Sequence, residues 1–260
     1  FLDTMDGQNL SLQVHPRTEY IQKTFGMHYT QDESYYILDA EDDACVYIGL
    51  KEGVDKEAME RDLRSAEKGE MIFDAEKYVN KVPVKKHDHI LIPAGTVHCS
   101  GKNAMVLEIS ATPYIFTFKL WDWGRVGLDG LPRPIHIDHG MKNIEWNRTT
   151  SWVMENIVNN IKTLEEKDDY KKEVTGLHEL EFIETERYTT STFFDVEMTD
   201  SVQQLNLVEG KSALIESLDG SFPPFEVHYA ESFIIPSSVK RYRVRSNSGE
   251  IKVVAAFVRN

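Results

Sequence analysis

Residues 87–100, reading HDHILIPAGTVHCS, constrain the fold more than any other stretch of the chain. Asp88 opens a short apolar strand in which Ile90 and Ile92 face opposite to Leu91, and Pro93, Ala94 and Gly95 break it with turn chemistry. A second apolar run then carries His98. The pattern fixes an imidazole beside a tight turn between two strands. A histidine there is either a polar residue near a surface loop or a metal ligand, and residues far upstream decide between the two.

The chain around this stretch has 260 residues, 41% of them hydrophobic and 28% charged, enough for one large or two ordinary domains. No apolar run approaches the roughly 18 residues that span a bilayer, and no basic-then-apolar leader is present, so the expected location is the cytoplasm. Cys45 and Cys99 are too few for a disulfide framework and read as small buried hydrophobes in a reducing compartment. A net charge of −14 argues against nucleic acid or an anionic membrane as partner. An anionic small molecule therefore needs a local basic site that works against the global field. The chain opens on Phe1 and Leu2 with no start signal, so an upstream part of the domain is expected to be missing from this sequence. No motif specifies an oligomeric state.

Leu10, Leu12 and Val14 alternate with Asn9, Ser11, Gln13 and His15, and Pro16 ends the run. Strand periodicity puts Gln13 and His15 on one face, about 6.5–7 Å apart. A solvated strand face could carry the same pair. Residues 17–25 read as a short helix. Two β-rich runs follow, one holding Tyr35 and Ile37 and the other Ala44, Val46 and Ile48, joined by an acidic turn at 39–43. Glu33 begins the first run. Gln13, His15, Glu33 and His98 together supply two imidazoles, a carboxylate and an amide oxygen. Such a set suits one Zn²⁺ per chain, or another divalent first-row metal, and the lack of thiolates suits a catalytic site with an open position.

These residues carry a resemblance to type I mannose-6-phosphate isomerases, zinc-dependent members of the cupin superfamily. Leu10-Ser11-Leu12-Gln13-Val14-His15-Pro16 is similar to the family strand L-S-x-Q-V-H-P. Glu33 with the following Ser-Tyr-Tyr-Ile-Leu-Asp resembles E-x-W-Y-[IV]-L-D, and residues 88–98 resemble D-x-x-x-x-P-x-G-T-x-H, with His87 where a glycine is usual. Leu107-Glu108-Ile109 and the block from Trp121 to His136 resemble two later family elements, so the likeness covers residues 1 to about 145 in order. It implies Zn²⁺ held by Gln13, His15, Glu33 and His98, and interconversion of mannose 6-phosphate and fructose 6-phosphate.

The chain departs from the family pattern at Gln31, where a lysine is common, at Lys119, where an arginine is common, and at residues 110–114, which replace a polar Q-Q-N-S-D. Aldose–ketose isomerisation moves a proton between C1 and C2 through an enediol, so it needs a metal at the sugar oxygens, a base, and a cation for the enediolate or phosphate. Lys119 and Arg125 are the expected cations, with Arg133 as an alternative phosphate contact. A lysine holds phosphate as a point charge where an arginine holds it bidentately. The run from Tyr114 to Trp123 reads as a strand with an aromatic core face. Lys119 then shares its face with Ile115, Thr117 and Trp121, and the period alone does not say whether that face meets the metal. The proton carrier is left among the ligand shell, its water and Glu108.

Met59, Leu63 and Ala66 at helical spacing predict an amphipathic helix within residues 54–70, expected over a barrel mouth or at its edge. A helix is predicted from residue 149 to about 161, and the acidic and lysine-rich residues 164–173 read as an exposed linker. From Leu180 on, short alternating segments recur, and residues 227–238 echo the 88–98 element with Glu231, Pro236 and Arg241 in the places of Asp88, Pro93 and His98. His228 reads as an isolated histidine. The expected architecture is all-β, two cupin jelly-roll barrels with helical insertions. Residues 1–148 form the metal-binding domain, 149–178 a helix and linker, and 179–260 a second, metal-free cupin-like domain. Two other functions compete with the isomerase: a non-catalytic cupin that binds a sugar or sugar phosphate, and an isomerase of another sugar.

Overall fold

Alternation with period two dominates the chain, and strands form where it does. A computed structural model describes residues 1–111, 116–176 and 178–259, which divide into two units, Phe1–Asn159 and Asn160–Asn260. The first contains β1 (Leu2–Asp3), β2 (Leu12–Val14), α1 (Thr18–Phe25), β3 (Asp32–Ala40), β4 (Cys45–Leu50), α2 (Lys56–Glu67), α3 (Ala75–Tyr78) and β5 (Val79–Pro83). It continues with β6 (His89–Ile92), β7 (His98–Ser100), β8 (Ala104–Ala111), β9 (Phe118–Trp121), α4 (Ile137–Asn143) and α5 (Thr150–Asn156). These strands make two antiparallel sheets, ordered β1-β8-β3-β6 and β5-β4-β7-β2-β9.

The two sheets face each other. Tyr35, Ile37, Ile90, Ile92 and Val106 of the first pack with Val46 and Ile48 of the second in one buried cluster, joined by Val153 and Ile157. The opposite face of the second sheet carries Leu12, Val14, Tyr47, Cys99, Phe118 and Trp121, and it is covered by Met59, Leu63 and Ala66 of α2, Tyr78 of α3, and Ile137 and Met141 of α4. Helix α2 thus lies on the outer face of a sheet rather than over a mouth or edge. Its apolar stripe needs an apolar partner, and the outward side chains of β2, β4 and β9 supply one. Asp55 caps it by accepting the Ala58 N–H at 2.9 Å.

Two other expectations change. Strand β9 begins at Phe118, and residues 112–115, including Tyr114 and Ile115, lie outside the described residues. Helix α5 stops at Asn156, because the Ile157 carbonyl accepts the Leu91 N–H and Val158 bridges to Ile90, pulling the chain into extended pairing.

The second unit is built from β10 (Lys162–Lys167), β11 (Tyr170–Gly176), β12 (Ile183–Thr190), β13 (Phe193–Glu197), β14 (Gln203–Glu209) and β15 (Ser212–Ser217). The remaining strands are β16 (Phe225–His228), β17 (Ser232–Ile235), β18 (Arg241–Ser246) and β19 (Ile251–Val258). They form sheets ordered β10-β11-β12-β19-β14-β17 and β13-β18-β15-β16, whose inward residues, among them Tyr188, Leu205, Ile215, Tyr242 and Val253, make one core. Residues 164–173, expected as a linker, belong to the β10–β11 hairpin. Glu165 pairs across from Lys172 and Glu166 from Lys171, so a composition that reads as solvated chain is a ladder of opposite charges. Its fully exposed outer strand is an edge guarded by Lys and Glu. Arg241 is exposed on β18 and paired with Glu197 at 2.6 Å, and His228 is exposed at the end of β16 beside Glu231. Among the described residues no helix is long and apolar enough to cross a membrane.

Leu63, fully buried on the inner side of α2, tests the docking of that helix. Leu63→Ala is expected to lower stability by about 2–5 kcal/mol, while Arg61→Ala on the exposed side stays within about 0.5 kcal/mol. Calorimetric melting of both variants checks this, and equal effects would contradict the packing.

Candidate metal centre

The register of the second sheet assembles the site. Gln13 of β2 lies directly opposite His98 of β7 on one side and Lys119 of β9 on the other, so all three side chains share the inward face. His15, two residues beyond Gln13, follows on that face. From the first sheet, Glu33 shares the face of Tyr35 and Ile37, and Glu108 of β8 sits opposite Tyr35. Residues separated by most of a domain in sequence therefore converge between the sheets.

His15, Glu33 and His98 are buried, with candidate ligand atoms all within 4.8 Å of one another. Glu33 Oε1 lies 3.2 Å from His15 Nε2 and 2.8 Å from His98 Nε2. Tetrahedral zinc with bonds near 2.05 Å separates its ligand atoms by about 3.3 Å, which these distances approach. Gln13 Nε2 is 3.4 Å from His98 Nε2, and a half-turn of its amide presents Oε1 at the same place. The carbonyl of Phe116 accepts His15 Nδ1–H at 2.9 Å and that of Thr96 accepts His98 Nδ1–H at 2.8 Å. Carbonyls only accept, so both Nδ1 atoms carry the proton and both Nε2 lone pairs aim inward. His15 Nε2 and Glu33 Oε1 are buried without a well-directed hydrogen bond, so they converge on a common point more than on each other. The residues present fit a divalent metal.

Electrostatics agree. Burial alone would push the Glu33 carboxyl up, but His15 and His98 outweigh it and hold it well below the usual carboxylate range. Burial pulls His15 down, and the Glu33 carboxylate more than offsets it, so His15 is raised. The carboxylate thus favours a proton on His15 in the metal-free protein, and a metal competes with that proton for Nε2.

Gln31, buried just before β3, ties this pair to a second carboxyl. Its Nε2 donates to Glu33 Oε2 at 2.8 Å and to Glu108 Oε1 at 3.2 Å, while its Oε1 accepts the Phe116 N–H at 3.4 Å. Burial, then the Glu33 charge, push Glu108 up to about 7. The sequence leaves Glu108 as one of three candidate proton carriers. The signal for it was its odd position in β8, two residues beyond inward Val106.

Lys119 is half-buried on the inner face, and among the described residues no carboxylate lies within ion-pair distance of it. Its backbone N–H donates to His136 Nδ1 at 3.2 Å, and burial together with Lys119 lowers His136. A bulge at Leu120 puts Trp121 opposite Leu12, on the outer face, so Lys119 and Trp121 part company despite their spacing of two. Arg125 is engaged elsewhere: it pairs with Asp122 at 2.6 Å, donates to Gln8 Oε1 at 3.0 Å and hydrogen-bonds the Asn9 carbonyl. Arg133 reaches the other oxygen of Asp122 at 3.3 Å. The structure brings Gln13, His15, His98 and Lys119 of one sheet and Glu33 of the other into the space between them, and commits Arg125 to tying residues 8 and 9 to Asp122.

No known family model matches the chain. It is 30% identical over 138 residues to the mannose-6-phosphate isomerase ManA of Bacillus subtilis, a match spanning 53% of this chain and 41% of that protein. The chain spans about two fifths of the length of this relative and of a second from the same organism. The mannose-6-phosphate isomerase of Streptococcus mutans is 22% identical over 251 residues, covering 95% of this chain and 70% of that one. Among solved structures, mannose 6-phosphate isomerase from Bacillus subtilis superposes with a TM-score of 0.76 at 18% identity, over 96% of this chain and 71% of that one. A phosphomannose isomerase variant from Salmonella typhimurium gives 0.68 at 12% identity over 97% and 76%. The chain is thus similar to mannose-6-phosphate isomerases in sequence, and shares their fold over nearly its whole described length.

Proposed function

We propose that this chain is a zinc-dependent aldose–ketose isomerase that interconverts mannose 6-phosphate and fructose 6-phosphate. The observation that carries the reading is the buried cluster of His15, Glu33 and His98, with inward Nε2 atoms and an orphaned carboxylate oxygen, in a chain similar to mannose-6-phosphate isomerases. We read each unit as a cupin-type jelly roll, since each has two antiparallel sheets around one shared apolar interior, with the metal in the first unit only. The buried free thiols Cys45 and Cys99 suit a reducing compartment such as the cytoplasm.

Gln13, His15, Glu33 and His98 would hold the ion, which when bound supplies Lewis acidity to the sugar oxygens. Glu108 is the carboxyl group suited to carry the proton between C1 and C2, because it faces the interior beside Glu33 and sits near neutrality. Gln31 orients both carboxyl groups through one amide. Lys119, inward and without a carboxylate partner among the described residues, is the cation for the phosphate or the enediolate. Arg125 serves by fixing Asp122 and residues 8 and 9.

A non-catalytic sugar-phosphate sensor is the second reading, favoured by the neutral Gln31 where related isomerases commonly carry lysine. A coupled assay with mannose 6-phosphate separates the two: chelator-sensitive turnover is expected, and none from zinc-loaded protein leaves the sensor. A panel of other sugars exposes a different substrate.

The ligand set is tested by metal analysis of His98→Ala, expected to lower zinc affinity at least about 10-fold; unchanged content would remove His98 from the site. In the metal-free protein, NMR titration should find His15 protonated above pH 6.5. Its raised pKa gives stability that is present at low pH and lost as pH rises through the shifted value. Glu33→Gln removes the main opposition to burial, leaving the Phe116 carbonyl and the Glu108 charge, so the same titration should move to lower pH. In the pH profile of kcat/KM, Glu108 as base predicts an acid limb at or below about 7, since a bound cation favours the carboxylate. Glu108→Gln should abolish that limb, and a variant that retains it assigns the proton to another group.

A further inference from the structure

Four backbone and side-chain contacts converge on the turn formed by Pro93, Ala94, Gly95 and Thr96. Its Gly95 N–H donates to the His15 carbonyl at 3.0 Å, and its Thr96 carbonyl receives His98 Nδ1–H at 2.8 Å. Its Ala94 N–H donates to Asp32 Oδ1 at 2.7 Å, one residue before Glu33. The Glu145 N–H closes it from behind on the Gly95 carbonyl at 2.9 Å, and Gly95, at φ +91°, has no room for a Cβ against Glu145. The turn therefore touches the strand or side chain of every residue in the cluster.

One charged side chain holds it. Arg148, buried before α5, donates through Nη1 to the carbonyls of Pro93 and Ala94, each at 2.7 Å, and to Thr96 Oγ1 at 2.5 Å. Its guanidinium lies over Trp152, 5.2 Å from the ring centroid, and its own backbone accepts the Leu50 N–H at 2.9 Å. Thr96 Oγ1 in turn donates to the Pro93 carbonyl at 2.7 Å. We propose that Arg148 is a positioning residue of the metal centre, locking the 93–96 turn so that His15, Glu33 and His98 keep a common focus. Its polar contacts described here are to the turn and not to the ligand atoms, so it acts on them through the turn. All three acceptors are reached by Nη1 at the end of a stem longer than lysine's, with the guanidinium held over Trp152, so an ammonium on its shorter stem reaches fewer of them. The proposal rests on the metal reading above.

The test measures zinc affinity by competition with a chromophoric chelator, and the visible spectrum of the cobalt-substituted protein, for wild type, Arg148→Lys, Thr96→Val and Leu63→Ala. Arg148→Lys is expected to weaken zinc binding about 10–100-fold, in the range of changes that disturb groups orienting metal ligands, and to shift the cobalt bands. Thr96→Val, which removes one acceptor without opening space, should weaken zinc several-fold and shift the bands the same way. It also keeps the test decisive if Arg148→Lys does not fold. Leu63→Ala loses stability on the far side of the sheet and should keep the wild-type affinity and spectrum. Wild-type values in folded Arg148→Lys or Thr96→Val would overturn the proposal, as would equal weakening in Leu63→Ala. A wild-type protein that binds neither ion would instead remove the metal centre itself.

Discussion

A carboxylate buried between two imidazoles is the interaction on which the first unit depends. Taking Glu33 out of water costs several kcal/mol unless charge and hydrogen bonds compensate, and the compensation here comes from His15, His98 and the amide of Gln31. Of these neighbours only Gln31 is near Glu33 in sequence. Only the pairings of Gln13 with His98 and of Glu33 with Ile92 bring them together. A slip of one residue in either pairing would turn these groups away from the space between the sheets, so the site and the register specify each other.

Much of this was legible in the chain, because period two is a local property. It gave the shared face of Gln13 and His15, the strand at Glu33 and the turn before His98. The parts that were not legible depend on one local irregularity or on distant partners. Lys119 and Trp121 looked co-facial, and a single bulge at Leu120 separates them. Arg125 carries a charge that suits phosphate, yet nothing in its own segment says that Asp122, Gln8 and Asn9 engage it. The β10–β11 hairpin was hidden by its composition, since short runs of acidic and lysine residues read as solvated chain until the opposite strand is known. Helix α2 was visible as a helix, but its apolar stripe does not say which face it covers. Arg148 left no signal, because an arginine that binds main-chain carbonyls and a hydroxyl of a distant turn belongs to no motif.

The departure at Gln31 changes character once its contacts are known. One amide reaches two carboxyl groups, and it brings donors without charge. Two carboxylates this close disfavour full ionisation of both. The imidazoles hold Glu33 ionised, so the penalty falls on Glu108, which burial has already raised, and it comes to rest near 7. An ammonium at position 31 would favour both carboxylates and draw Glu108 down toward the ordinary range. The neutral amide therefore leaves the interior one positive charge poorer and gives it a carboxyl that can gain and lose a proton near neutral pH, the property that a proton carrier between adjacent carbons requires.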